Sequence, residues 1–188
     1  MKKILKEVLS TSLYLLVVLC TTYLIIHFVG QRTQVVGSSM ESTLSDGDNL
    51  IVDKLSYHFR EPERFDIVVF PVDDGMVEGE GKKAEETYYI KRIIGLPGEI
   101  VEIDEKGIIY INGDILEENY GREVIRDAGM AAEPITLGED EYFVLGDNRN
   151  NSSDSRVPDV GNISRERLIG RAWIRIWPLN ELGVLRHQ

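Results

Sequence analysis

The sequence predicts a mainly β fold, an antiparallel sheet domain carried behind one N-terminal membrane-spanning helix. Three observations lead there. From Val8 to Gln31 the chain has no Asp, Glu, Lys or Arg, and an apolar helix of that length, at 1.5 Å per residue, spans the roughly 30 Å hydrocarbon layer of a bilayer. Beyond it, short runs rich in Val, Ile, Tyr and Phe alternate with Gly, Pro, Asn and Asp turn signals, the pattern of antiparallel strands. With 188 residues and no internal repeat, the chain has room for one sizeable domain and a small appendage.

Taken in order, Lys2, Lys3 and Lys6 precede the apolar run. By the positive-inside rule they place residues 1–7 in the cytoplasm, residues 8–29 in the bilayer and residues 30–188 on the far side, a single-pass type II arrangement in the cell membrane. The run is longer than the apolar part of a secretory signal, and its exit, Ile26-His27-Phe28-Val29-Gly30-Gln31-Arg32, has no pair of small residues suited to cleavage. An uncleaved anchor is therefore expected, with His27 snorkelling to the interface. Ser45-Asp46-Gly47-Asp48 reads as a turn and Asn49–Asp53 as a short strand. Leu55–Arg64 reads as a loop or short helix, and Asp66–Phe70 as an apolar strand closed by Pro71. The acidic stretch from Asp73 to Glu86 reads as a surface loop. Thr87–Ile94 is apolar on both faces, as a central strand is, with Tyr89, Lys91 and Ile93 on one side and Tyr88, Ile90, Arg92 and Ile94 on the other. Glu99–Ile103 and Ile108–Asn112 flank Asp104-Glu105-Lys106-Gly107 as a hairpin, and Asn112-Gly113 supplies the next turn. Glu117–Glu133 is polar and irregular. Glu141–Gly146 is a further strand, Ser164 caps a helical turn over 165–168, and Gly170–Trp177 is the last strand before Pro178.

Composition excludes several functions. A net charge of -11 without any Lys/Arg-rich run argues against nucleic acid as a partner. The single cysteine, Cys20, precludes an intrachain disulfide and a cysteine-based zinc site. The histidines, His27, His58 and His187, stand beside no credible nucleophile, so neither a Ser-His-Asp triad nor a histidine metal site is supported. Asp46 and Asp48 lack the rest of a calcium loop. No metal or cofactor is expected.

What remains is serine with lysine. A serine hydroxyl needs a base to take its proton, and lysine serves only if desolvation lowers its pKa. Lys91 sits on an apolar strand, where burial of an ammonium is costly, whereas Lys82, Lys83 and Lys106 lie in turns or acidic loops. Ser39, in the glycine-led stretch Gly37-Ser38-Ser39-Met40-Glu41-Ser42-Thr43-Leu44, is the natural partner. The same stretch would also serve as a plain linker, and Lys91 as a lysine paired with a carboxylate or snorkelling at the strand edge.

Four ordered stretches carry a specific resemblance. Ser39-Met40-Glu41-Ser42-Thr43-Leu44, Arg64-Phe65-Asp66-Ile67-Val68-Val69-Phe70, Lys91-Arg92-Ile93-Ile94-Gly95-Leu96-Pro97-Gly98-Glu99 and Gly146-Asp147-Asn148-Arg149-Asn150-Asn151-Ser152-Ser153-Asp154-Ser155-Arg156 resemble the boxes of type I signal peptidases. These are membrane proteases that remove signal peptides from exported proteins with a serine–lysine dyad. The resemblance implies a β-rich catalytic core with a smaller β-cap inserted over about residues 99–140. It implies Ser39 as nucleophile, Lys91 as general base, and Ser152 as a hydroxyl that hydrogen-bonds and orients the lysine. Asp154 and Arg156 match a supporting ion pair, and Met40 a residue of the substrate pocket. Secretory preproteins and the lipid bilayer are the implied partners.

Two departures stand out. Ser42 occupies the place of a family proline, which leaves the turn less rigid. Gly37 stands where some members have an oxyanion-stabilising serine, so the oxyanion would rest on the Ser39 N–H with Ser38 or a water. The rival expectations are an inactive paralogue that binds preproteins, a tethered β domain without enzymology, and another kind of Ser-Lys peptidase.

Overall fold

A computed structural model describes residues 2–24, 30–72 and 87–185. Helix α1 covers Lys2–Leu24. Twelve strands follow among the described residues: β1 Gly30–Gln34, β2 Asn49–Asp53, β3 Ile67–Val72, β4 Thr87–Gly95, β5 Ile100–Ile103, β6 Ile109–Ile111, β7 Asp114–Ile115, β8 Ile135–Thr136, β9 Glu141–Leu145, β10 Ile163–Ser164, β11 Gly170–Trp177 and β12 Gly183–Val184. Their pairings are antiparallel, as the turn-separated runs predict. One sheet runs β1-β2-β11-β3-β4-β9-β10 with β12 added on β11, and a second runs β7-β6-β5-β8.

Alternation along the central strands divides the core. On β3, Ile67 and Val69 pack with Val35, Met40, Leu44, Leu50, Val52 and Ile90, while Val68 and Phe70 face Tyr57, Ile93, Tyr142 and Val144. On β9, Tyr142 and Val144 join that second cluster, whereas Phe143 and Leu145 close over the small sheet with Val101, Ile103, Ile109 and Ile111. A period of two thus places successive residues in different cores, and β4 is central as expected, between β3 and β9.

The expected hairpin is β5–β6, with Val101 opposite Ile111 and Ile103 opposite Ile109. At the next turn Asn112 and Gly113 both have positive φ, 54° and 87°. That is the geometry of a two-residue type I′ loop, which Asn-Gly tolerates, and it returns the chain into β7. The strands β1, β7, β8, β10 and β12 carry too few residues or too little apolar alternation to stand out in the sequence.

Other expectations need correction. Ser164 precedes the short 3-10 turn Arg165–Arg167 but makes no side-chain capping hydrogen bond. Instead the turn is held from outside, by the Arg165 N–H donating to the Asp140 carbonyl at 2.8 Å. Leu55–Arg64 needs no correction: it contains a 3-10 turn, Ser56–His58, as a loop or short helix predicts. The acidic stretch 73–86 and His27 lie outside the described residues. Among the described residues no helix is long and apolar enough to cross a membrane; helix α1 covers the first part of the expected span, and residues 25–29 lie outside the described set.

Candidate active site

The stretch Gly37–Leu44 is a tight turn hung on two buried side chains. Met40 and Leu44 are sunk into the core under β2 and β3, and the Thr43 and Leu44 N–H groups both donate to the Met40 carbonyl at 2.9 Å. Gly37 has φ +89°, a value open to glycine, and its N–H donates to Asp46 Oδ1 at 2.8 Å. Asp46 therefore serves the turn, as its Asp-Gly context suggested. Between these anchors Ser39 is lifted toward β4.

Lys91 lies opposite Val68 in the β3–β4 ladder and is 3% exposed. Its Nζ donates to Ser39 Oγ at 2.7 Å and to the Ile90 carbonyl at 3.2 Å, and it stands 4.9 Å from the centre of the Tyr89 ring. Removing the amine from water brings Lys91 from an ordinary 10.5 down to about 8, while the carboxylates of Asp154 and Asp147 pull the other way. Desolvation wins because neither carboxylate is its direct partner. The sequence pairing of Ser39 with Lys91 is thus met by hydrogen-bond contact across 52 residues.

The loop after β9 clamps the serine turn from the other side. The Asn148 N–H donates to the Ser39 carbonyl at 3.0 Å, and Asn148 Nδ2 donates to the Ser38 carbonyl at 3.0 Å. Asn151 Nδ2 donates to Ser38 Oγ at 2.8 Å. The Ser39 N–H itself donates to no acceptor among the described residues. Gly146 is required here by space: a Cβ would collide with Ser152 Oγ and with the Ser39 carbonyl.

Asp154 and Arg156 form the expected pair. Arg156 Nε donates to Asp154 Oδ1 at 2.8 Å and Nη2 to Oδ2 at 2.9 Å, and Asp154 Oδ2 also accepts the Gly146 N–H at 3.1 Å. Arg156 further donates to the carbonyls of Asp127 and Arg149. This pair fixes the loop backbone under the serine turn. Ser152 differs from expectation. It lies against Gly146 beside Ser39, but its hydroxyl is buried without a hydrogen-bond partner among the described residues, so the Ser152–Lys91 hydrogen bond is not formed in this structure.

Sequence reasoning assigned no role to a second buried network in the same boxes. Arg92, 1% exposed, donates through Nε and Nη2 to Asp147 at 2.8 and 2.7 Å. Its remaining N–H groups reach the Phe65 carbonyl at 2.9 Å and Thr43 Oγ1 at 3.2 Å, and its guanidinium lies 3.7 Å from the Tyr120 ring centre. An arginine on a strand apolar on both faces was the available signal, because a charge so placed must be paired.

A groove of about 700 Å³ opens onto Ser39 and Lys91, lined also by Thr33, Val36, Met40 and Tyr89 among others. β1 is the edge of its sheet. β9 pairs with β4 only from Arg92 onward, so residues 87–91 have β3 on one side and no strand on the other among the described residues. No group of His, Cys, Asp and Glu among the described residues is placed to hold a metal ion.

A serine in hydrogen-bond contact with a buried lysine thus stands beside an open strand edge, and comparison with known proteins gives the class, a peptidase. The family model "Signal peptidase, peptidase S26" matches residues 6–177. The chain belongs to that family and, within it, to the type I signal peptidases. "Probable signal peptidase I-2" of Synechocystis sp. is 43% identical over 158 residues, 84% of this chain and 68% of its own length. "Signal peptidase I" of Leptolyngbya laminosa is 42% identical, covering 84% and 74%. "Signal peptidase I T" of Bacillus subtilis is 37% identical, covering 85% and 80%. A crystal structure of a signal peptidase I from Enterococcus faecalis is 32% identical and covers 60% of this chain and 97% of its own, with a TM-score of 0.43.

Proposed function

We propose that the chain removes signal peptides from exported preproteins with Ser39 as nucleophile and Lys91 as general base. The observation that carries this reading is the 2.7 Å contact of the Lys91 amine with Ser39 Oγ in a site where the amine is almost fully removed from water. The preprotein lies extended along the open edges of β1 and β4, adding main-chain hydrogen bonds as strand addition does. Small side chains at -1 and -3 enter the groove beside Met40 and Tyr89. Neutral Lys91 takes the Ser39 proton as Oγ attacks the carbonyl of the -1 residue. The oxyanion is received by the free Ser39 N–H, with the Ser38 hydroxyl or a water as second donor. Lys91 then gives its proton to the leaving amine, and the mature protein departs. The signal peptide remains as an ester on Ser39 until water, deprotonated by Lys91, hydrolyses it. Ser152 orients the amine in the reacting complex by turning its unpartnered hydroxyl onto it, and Asp154 with Arg156 holds the loop that carries Ser152.

Residues 8–29 anchor the enzyme in the cell membrane, with residues 30–188 as an extracytoplasmic peptidase unit and 99–140 as its cap. The support is the uncharged run from Val8 to Gln31 together with Leu9, Leu13, Leu16 and Leu19, which stand more than half exposed on α1 with no protein over them among the described residues. Thr11 Oγ1 donates to the Glu7 carbonyl at 2.9 Å, which satisfies a hydroxyl inside an apolar segment. At most about 3.3–3.6 Å per residue of extended chain separates Val29 from Ser39, so the nucleophile works near a substrate that is itself membrane-tethered.

The test is incubation of a preprotein with the wild type, Ser39→Ala and Lys91→Ala. Cleavage by the wild type and its loss in both variants is expected. Equal cleavage by all three would sink the dyad, and binding without cleavage by the wild type would make the chain an inactive paralogue.

A further inference from the structure

The turn that carries Ser39 is tied to a segment far away in sequence. Residues 118–126 of the irregular stretch after β7 run directly over it. Ser42 Oγ donates to the Tyr120 carbonyl at 3.4 Å, and Arg122 pairs with Glu41 at 2.8 Å. The Arg122 N–H donates to the Asp147 carbonyl at 2.9 Å. Tyr120 is buried, packs on Phe65 with ring centres 4.9 Å apart and the planes tilted by 44°, and covers the Arg92 guanidinium at 3.7 Å. Arg92 in turn holds Thr43 Oγ1. The same segment is locked to the loop after β9 by the Glu118–Arg149 ion pair at 2.8 Å, both side chains being largely buried. Glu41, Ser42 and Thr43, the residues that follow the Ser39-Met40 pair, therefore each touch this segment or the arginine it covers.

We infer that Tyr120 and Arg122 are positioning residues for the nucleophile, the segment 118–126 acting as a brace that keeps the Ser39 turn in register with Lys91. The turn needs one. Its internal hydrogen bonds, from Glu41 to Ser38 and from Thr43 and Leu44 to Met40, leave the Ser42 N–H without a partner among the described residues, and Ser42 does not restrict φ as proline does. A displacement of about 1 Å between a nucleophile and its base can cost on the order of 100-fold in rate. The brace acts on chemistry and not on the substrate groove, because neither Tyr120 nor Arg122 lines that groove. Its signature is a lower kcat at unchanged KM, with the midpoint of the pH profile in place since Lys91 keeps its surroundings.

The inference rests on the Ser39–Lys91 reading, and the measurement separates the two. Steady-state cleavage of a preprotein is followed for the full-length wild type, Ser42→Ala, Arg122→Ala, Arg122→Lys and Tyr120→Leu. Arg122→Ala and Tyr120→Leu are also made together with Ser42→Pro, which stiffens the turn without removing any backbone hydrogen bond formed among the described residues. Tyr120→Leu should lose about 10–100-fold in kcat, and Ser42→Ala and Arg122→Ala about 2–5-fold, with KM within twofold. Arg122→Lys should regain most of its loss, and Ser42→Pro should restore part of the kcat of Arg122→Ala and of Tyr120→Leu. If Tyr120→Leu does not fold, the two milder variants and their rescue decide. Wild-type kcat in the folded Tyr120 and Arg122 variants, or losses that Ser42→Pro leaves untouched, overturns the brace while leaving the dyad standing. Absence of cleavage by the wild type overturns the dyad itself.

Discussion

At the scale of single residues, the decisive quantity is the free energy of keeping an ammonium at Lys91. Burial holds its pKa near 8, against an ordinary 10.5, so a useful fraction of the amine is neutral at mildly alkaline pH. The kcat/KM of preprotein cleavage should therefore rise through a midpoint near pH 8 and level off above it. Lys91→Ala should cost roughly 10²–10⁴-fold, the usual contribution of a general base. The same displacement has a sign for stability. Between about pH 8 and 10.5 the unfolded chain binds a proton that the folded chain does not, so stability rises with pH across that window. Below pH 8 the residue is destabilising by on the order of 3 kcal/mol. Chemical denaturation at pH 7 and at pH 9.5 should show this rise in the wild type and not in Lys91→Met, which should also be the more stable of the two at pH 7. The contact between Ser39 and Lys91 was legible in the sequence, because an amine on an apolar strand needs a polar partner. The free state of the Ser152 hydroxyl was not, since a rotamer is set by packing around Gly146 that no motif records.

At the scale of elements, β4 and the loop after β9 do the holding. Lys91 and Arg92 point to opposite sides of one strand, the first toward the serine and the second into a bidentate ion pair with Asp147. Removing one partner of a buried pair leaves an uncompensated charge. Asp147→Ala should therefore cost about 3–5 kcal/mol in a denaturation experiment and lose cleavage along with it. Gly146→Ala should be severe for a different reason: its methyl group would occupy the space of Ser152 Oγ and the Ser39 carbonyl, so activity should fall even in molecules that fold. The long strands β3, β4, β9 and β11 were readable from their continuous apolar runs. The two-residue strands β7, β8, β10 and β12 were not, because pairing of so few residues is decided by neighbours remote in sequence. Ser164 shows the same limit, a good capping residue overridden when Asp140 accepts from the turn instead.

At the scale of the whole molecule, the larger sheet and the loop after β9 bring the groove onto Ser39 and Lys91. The segment after β7 read as polar and irregular, yet it covers Arg92 and touches the turn that carries Ser39, a contact between residues about 80 apart that no local pattern encodes. The expected anchor is the other whole-molecule claim. If residues 8–29 span a bilayer, the full-length protein should remain in the membrane fraction after carbonate extraction, and a form beginning at Gly30 should be released. The central claim, the proposed attack by Ser39 with Lys91 as base, joins the groove and this pair in one covalent event, so it is tested most directly by intact mass spectrometry of the full-length enzyme quenched during preprotein cleavage. The account predicts a species heavier by the signal peptide minus one water, the added mass lying on the peptide that contains Ser39, and no such species in Ser39→Ala. Appearance of mature product at the wild-type rate from Ser39→Ala, or an adduct on any other residue, would contradict it.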